Sequence, residues 1–311
     1  MNVFFGPVRN YPSWSWVGED TVKELSKYID IHTYRNEHVP PKSKVIVVIK
    51  QLPSKKYFDL ADSFKSKIIY CPIDYFLSEK HLRGCGELLK RCSLVLSHSE
   101  RLLEYLRDYC KAQYIDHHGK FFLEQPSSYK EEGYVLWVGG LQYTPYLINW
   151  LNRFPIKAPI KLLTDLSNER AEAAGNSICK RFDFKLSIQN GKLNGYEAEE
   201  WSESIQTKAL KEAKAAIDIK GTDFNQAHKP PTKAQKYVCS GLPLAMNEGE
   251  SVEYFRNRGF YITSPRNQAE WFSREYWEKT QEIGTILKPK LAVEAIAQEF
   301  LKHINGILHG S

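Results

Sequence analysis

Several things are scarce or missing in this chain, and each absence narrows the reading. No apolar run is long enough to cross a bilayer as a helix, so a soluble protein is expected. The opening residues MNVFFGPV lack a basic region followed by a sustained apolar segment, and no secretion signal is expected. Six cysteines stand singly at Cys71, Cys85, Cys92, Cys110, Cys179 and Cys239 with no CxxC pair, which argues against a zinc ribbon and for reduced thiols in a cytoplasmic chain. There is no Asp-x-Asp anywhere, so no tightly bound divalent cation is expected: metal ligands none. A complete GxGxxG is also missing. The net charge of +6 is spread over the length without a dense basic block. That suits anionic nucleotides, or weak peripheral association at the inner membrane face, and speaks against a sequence-specific nucleic-acid partner.

What is present is ample core material, with 42% hydrophobic and 13% aromatic residues in 311. At ~150 residues per domain that length suggests about two domains. Val3-Phe4-Phe5 reads as a first strand, Gly6-Pro7 opens a loop holding Tyr11, Trp14 and Trp16, and Glu19-Asp20-Thr21 start a helix. Further strands are read at Lys44 to Ile49, Lys67 to Cys71, Ser93 to Ser97 and Tyr114 to Asp116. Residues 121–133 are polar and read as a linker. At Tyr134 the pattern restarts, with Gly139-Gly140 closing the first strand of a second half; Ile160 to Thr164 and Ala216 to Ile219 continue it. The region 166–207 stays ambiguous. The expected division is 1–125, 134–287, and a terminal helical segment 288–311. The fold class is therefore α/β, two Rossmann-like α/β/α domains facing a cleft.

The most informative stretch is HKPPTKAQKYVCSGLPLAMNEGESVE, from His228 to Glu253. Pro230 and Pro231 cannot donate a backbone hydrogen bond, so a helix should begin near Thr232 and end at Gly241, where a left-handed cap costs glycine little. Leu242-Pro243-Leu244-Ala245-Met246 then reads as a buried strand, followed by a helix opening near Ser251. Ligands of open α/β sheets sit beyond strand carboxyl ends and beside helix N-termini, so Lys229, Thr232, Lys233, Glu248 and Ser251 fall on one potential anion-binding rim.

Lys233, Tyr237, Gly241 and Pro243 stand in the order found in the donor-binding segment of nucleotide-sugar glycosyltransferases of the GT-B fold, families 1 and 4, which this stretch resembles. The run CSLVLSHSERLLEYL resembles a recurrent strand and helix start in their first domain. The resemblance implies that Lys233 faces a donor diphosphate, with Gly139 and Gly140 also on the donor side, that no cofactor is needed beyond the nucleotide-sugar substrate, and that the terminal helix crosses back to the first domain. His228 and Lys236 stand where many retaining members carry a glutamate pair, so the resemblance does not carry over the usual ribose contact or retention of anomeric configuration.

Sugar transfer needs the charge on a departing diphosphate stabilised and a proton removed from the acceptor. Lys233, Lys229 and the helix start at Thr232 suit the first task. For the second, the candidates are Asp74, His98, His117 and His118 at strand ends, with Glu19 and Asp20 near the first loop. Trp14 and Trp16 are candidates for an acceptor stacking wall, or equally for core packing. His117 and His118 are adjacent and point to opposite faces, which disfavours one ion between them. Lys229 and Lys236 can also be read as solvated helix-face charges. The expectation is a metal-independent glycosyltransferase acting on a nucleotide sugar and a glycan, lipid-linked or small-molecule acceptor. A non-catalytic nucleotide- or glycan-binding protein and a nucleotide-sugar epimerase remain the alternatives, since paired α/β domains serve many functions.

Overall fold

Val45–Ile49 is apolar at every position and buried at every position, as a short run of β-branched residues is in a strand covered on both faces. Around it the computed structural model, which describes residues 2–35 and 38–309, builds a six-stranded sheet. Met1, Asn36, Glu37, Gly310 and Ser311, which fall in the expected segments 1–125 and 288–311, lie outside the described residues. The strands are β1 Val3–Gly6, β2 Ile31–Thr33, β3 Val45–Ile49, β4 Lys67–Cys71, β5 Leu94–Ser97 and β6 Ala112–Tyr114. They are parallel throughout, in the order β2-β1-β3-β4-β5-β6. Val45, Val47 and Ile49 face one core and Ile46 and Val48 the other, as the two-residue period of a strand demands.

The chain divides into two units. Unit 1 comprises residues 1–120, 223–230 and 289–311. Its last piece carries the helix Val293–His309, whose Ile296, Ala297, Phe300 and Ile304 are buried with Val3, Phe5 and Val45. The short helix Phe224–Ala227 also belongs to unit 1, where Phe224 packs edge-on to Tyr105.

Unit 2 comprises 121–222 and 231–288. Its strands are β7 Val135–Val138, β8 Ile160–Thr164, β9 Ile188–Gln189, β10 Lys192–Leu193, β11 Tyr196–Glu200, β12 Ala215–Asp218 and β13 Leu244–Met246. The sheet order is β13-β12-β7-β8-β11-β10-β9. Its five long-range strands are parallel, and the antiparallel β9-β10-β11 meander turns at Asn190-Gly191 and Asn194-Gly195, all four residues at positive φ. This meander and the helix Glu169–Cys179 fill the region that periodicity left ambiguous. Residues 121–133 are not a free linker. Leu123 and Ser127 donate backbone N–H groups to Ser240, and Trp277 and Lys288 donate to carbonyls of Ser127 and Leu123, so this segment's polar groups are satisfied on unit 2. Among the described residues no helix is long and apolar enough to cross a membrane.

Candidate functional site

In unit 2 the order of strands reverses at β7, where the chain first builds toward β8 and later returns to place β12 on β7's other side. Ligands of such sheets bind outside the strand carboxyl ends at this switch point. Two chain segments leave the sheet there: Gly139-Gly140 after β7 and Ile219-Lys220 after β12. The helix Thr232–Cys239 lies against both, because the buried Tyr237 accepts the Val138 N–H on its hydroxyl at 2.7 Å. Two prolines start this helix and Gly241, at φ 77°, ends it.

The charge at this spot is concentrated on three side chains. Asp218, fully buried at the end of β12, faces Lys233 at 3.2 Å and Lys220 at 3.3 Å. Burial pushes its carboxyl pKa up, but the two ammonium groups together outweigh that and hold it below the ordinary value. The trio carries a net positive charge. The Lys233 ammonium also stands 4.3 Å from the ring centre of Trp137. Gly139 is required here, since a Cβ would fall 2.7 Å from the Trp137 ring and 2.9 Å from Lys233 Nζ. Asn247, after β13, accepts the Lys220 N–H and donates to the Lys220 carbonyl, clamping the loop that carries that lysine.

The expected rim is only partly assembled. Lys233 meets Asp218, Gly139 lies against Lys233, and Thr232 begins the helix that carries that lysine. Ser251 is buried and its hydroxyl has no hydrogen-bond partner among the described residues. Glu248 is exposed and held by Arg256 at 3.1 Å, so it braces the following helix instead of facing an anion. Lys229 belongs to the unit 1 piece 223–230. Lys236 is no solvated helix charge: it is buried, donates to Gln206 Oε1 at 3.1 Å, and lies 5.4 Å from the ring centre of Phe121. Burial first, and the charge of Lys233 second, push its amine down to about 7. Gln206 Oε1 also accepts the indole N–H of the half-exposed Trp201 at 3.0 Å. Asp218, Lys220 and Trp137 were not singled out in the sequence; an acid closing the apolar run Ala215–Asp218 was the available signal.

Unit 1 carries its own polar group at the carboxyl edge of its sheet. Asp74, after β4, is exposed and sits at φ 49°, a left-handed conformation uncommon for a non-glycine residue. His98, after β5, is buried; burial pushes it down to about 4, opposed by the Ile115 carbonyl and the charge of Asp74. His117 is buried beside it. His118 is not available as a free base, because its Nε2 meets Asp20 at 3.0 Å and the same carboxylate oxygen holds Lys120 at 2.7 Å. Burial keeps His118 below its ordinary pKa despite Asp20. Trp14 is a core residue packed over Gly18, where a Cβ would approach its ring to 2.4 Å, so it has no open face. Trp16 is half-buried, its ring 6.1 Å from that of His117. Among the described residues no group of three or more His, Cys, Asp or Glu could hold a metal ion.

No protein-family model matches the sequence, and no curated protein matches it. Solved structures do match in fold. A chain of the GtfA/B complex is 10% identical with a TM-score of 0.56, the match covering 86% of this chain and 58% of that one. AviGT4, a glycosyltransferase involved in avilamycin A biosynthesis, is 9% identical with a TM-score of 0.59, covering 100% of this chain and 99% of that one. The α,α-trehalose 6-phosphate synthase from Burkholderia multivorans is 10% identical with a TM-score of 0.56, covering 94% and 74%. The chain thus spans less than two thirds of the GtfA/B chain and nearly all of AviGT4. The architecture is GT-B, two Rossmann-like domains, the fold of these glycosyltransferases.

Proposed function

We propose that this GT-B chain transfers a sugar from a nucleoside-diphosphate donor to an acceptor hydroxyl, with the donor held on unit 2. The observation that carries the reading is the Lys220–Asp218–Lys233 trio at the switch point of that unit's sheet. Asp218 cancels one positive charge and orients both ammonium groups, leaving a fixed cationic centre beside the start of the helix Thr232–Cys239. A departing diphosphate gains negative charge as the glycosidic bond breaks, and such a preorganised centre stabilises it without reorganisation. The bare backbone at Gly139 lets the Trp137 ring and the Lys233 ammonium close on the end of β7, and the buried Ser251 hydroxyl is a further donor for an anion. No step is assigned to a metal ion.

On unit 1, Asp74 is the proposed base: its strand-end position and its left-handed backbone fit a group held in place for a reaction. His98 and His118 line the same sheet edge as supporting groups, His118 through its pair with Asp20. A binding protein without turnover is the second reading, favoured by His228 and Lys236 standing where acids would bind a ribose.

The test is calorimetry with UDP, GDP, ADP and dTDP, together with nucleotide release from the matching sugars. Lys233→Ala is expected to weaken nucleotide binding by about tenfold or more, as loss of a charge-assisted contact does. Asp74→Asn is expected to keep nucleotide affinity within a few-fold and to lower turnover by roughly 10²-fold. Unchanged affinity in Lys233→Ala removes the trio from the site; tight binding with no turnover for any sugar donor selects the binding protein.

A further inference from the structure

His98 and His117 follow neighbouring strands, β5 and β6, and their rings meet at the carboxyl edge of the unit 1 sheet, 4.0 Å apart and tilted by 39°. They are 4% and 5% exposed. The Ile115 carbonyl lies 2.9 Å from His98 Nδ1 and can only accept, so the proton sits on Nδ1 and Nε2 is a bare acceptor. Among the described residues that Nε2 has no hydrogen-bond partner, and neither nitrogen of His117 has one. Native interiors leave few buried polar atoms unpaired, and three in contact mark a place meant for something else. If these rings only filled space, phenylalanine would do so without the cost of the nitrogens.

The kind of ligand follows from the charge. Burial, and for His117 the neighbouring imidazoles as well, hold both rings below the ordinary imidazole range, His98 at about 4, which favours the neutral form at pH 7. The nearby cation Lys120 is already committed to Asp20. Two neutral imidazoles bring no charge to hold a phosphate or carboxylate. They offer two acceptor nitrogens and one N–H, which matches hydroxyl groups that each donate and accept. Beside His117 lies the half-buried Trp16, an aromatic ring of the type that covers the C–H face of a sugar.

We propose that the His98–His117 pair binds the hydroxyl groups of an uncharged, polyhydroxylated acceptor such as a neutral glycoside. This rests on the reading of the chain as a sugar transferase and adds that its acceptor carries no phosphate at this point.

Side-chain 15N NMR of the histidine rings in the full chain tests it, with methyl glucoside, methyl galactoside and methyl mannoside as probes against glucose 6-phosphate, inorganic phosphate and Zn²⁺. At least one neutral glycoside is expected to move His98 Nε2 and a His117 nitrogen together, and phosphate at least about tenfold more weakly. His117→Phe is expected to abolish the response and to raise the melting temperature, because it removes two unpaired nitrogens. A silent pair with all three glycosides, equal or tighter phosphate binding, a response to equimolar Zn²⁺ alone, or a lowered melting temperature in His117→Phe overturns the proposal. UDP, GDP, ADP and dTDP calorimetry on the same sample reads unit 2 separately. Nucleotide binding with silent histidines sinks the acceptor site alone, whereas loss of both sinks the transferase reading too.

Discussion

Lys236 is held in the interior of unit 2 with an amine whose pKa lies at about 7. In an unfolded chain the same amine titrates near ~10.4, so between these values the unfolded state binds the extra proton. Stability therefore rises with pH through that window and is lowest below it, the cost at acid pH being on the order of 4 kcal/mol. Lys236→Met keeps the length and drops the charge. It is expected to raise the melting temperature at pH 7 and to flatten the rise between pH 7 and 10. Parallel stability curves for the two proteins would show that Lys236 is not the group responsible. Lys233 behaves differently, because its partner Asp218 is the buried member of the pair and Lys220 remains on the carboxylate's other oxygen. Lys233→Ala therefore loses some stability as well as nucleotide affinity, which is why binding has to be read below the variant's own melting temperature.

At the scale of elements, the helix Thr232–Cys239 is located by its neighbour Arg274–Leu287. Gly284 of the second helix lies against the first so closely that a Cβ would stand 2.5 Å from the Val238 carbonyl oxygen. Glycine inside a helix ordinarily costs ~1 kcal/mol relative to alanine. Here the sign reverses, because the obstacle is backbone, which cannot rotate away. Gly284→Ala is expected to destabilise by about 1–3 kcal/mol, the range for overpacking, and to weaken nucleotide binding by moving Lys233 with its helix. Urea unfolding measures the first and calorimetry the second; a stabilised variant would mean the helices separate freely.

At the scale of the molecule, unit 1 is assembled from three pieces of chain and unit 2 from two. The last piece, 289–311, brings Ile296, Phe300 and Ile304 into the core formed by β1 and β3. A chain ending at Lys288 would leave those apolar side chains of the sheet exposed to water. Burying a side chain of this size is worth ~1.5–3 kcal/mol, so losing several exceeds much of a domain's net stability. Calorimetry of the shortened chain is expected to lose unit 1's transition and to keep unit 2's, the latter judged by nucleotide binding. An unaltered thermogram would show that the terminal helix adds nothing to unit 1.

The short apolar runs Val45–Ile49 and Leu94–Leu96 determined buried parallel strands, because five or fewer residues rich in β-branched side chains are too few for a buried helix and suit a strand covered on both faces. The prolines before Thr232 and the glycine at 241 likewise determined where the helix Thr232–Cys239 starts and stops, by fixed φ and by tolerance of positive φ. Lys233 was legible for that reason. Its partner was not: Asp218 lies on a strand and Lys233 on a helix, and only the packing of Tyr237 on β7 brings their charges together. The burial of Lys236, the core position of Trp14 and the pairing of His98 with His117 were decided the same way. The short edge strand Ile31–Thr33, half exposed, and the β9-β10-β11 meander leave too little periodicity to read. Periodicity reports which face of an element is apolar, while the convergence of polar side chains from separate elements depends on long-range packing, which no local pattern encodes.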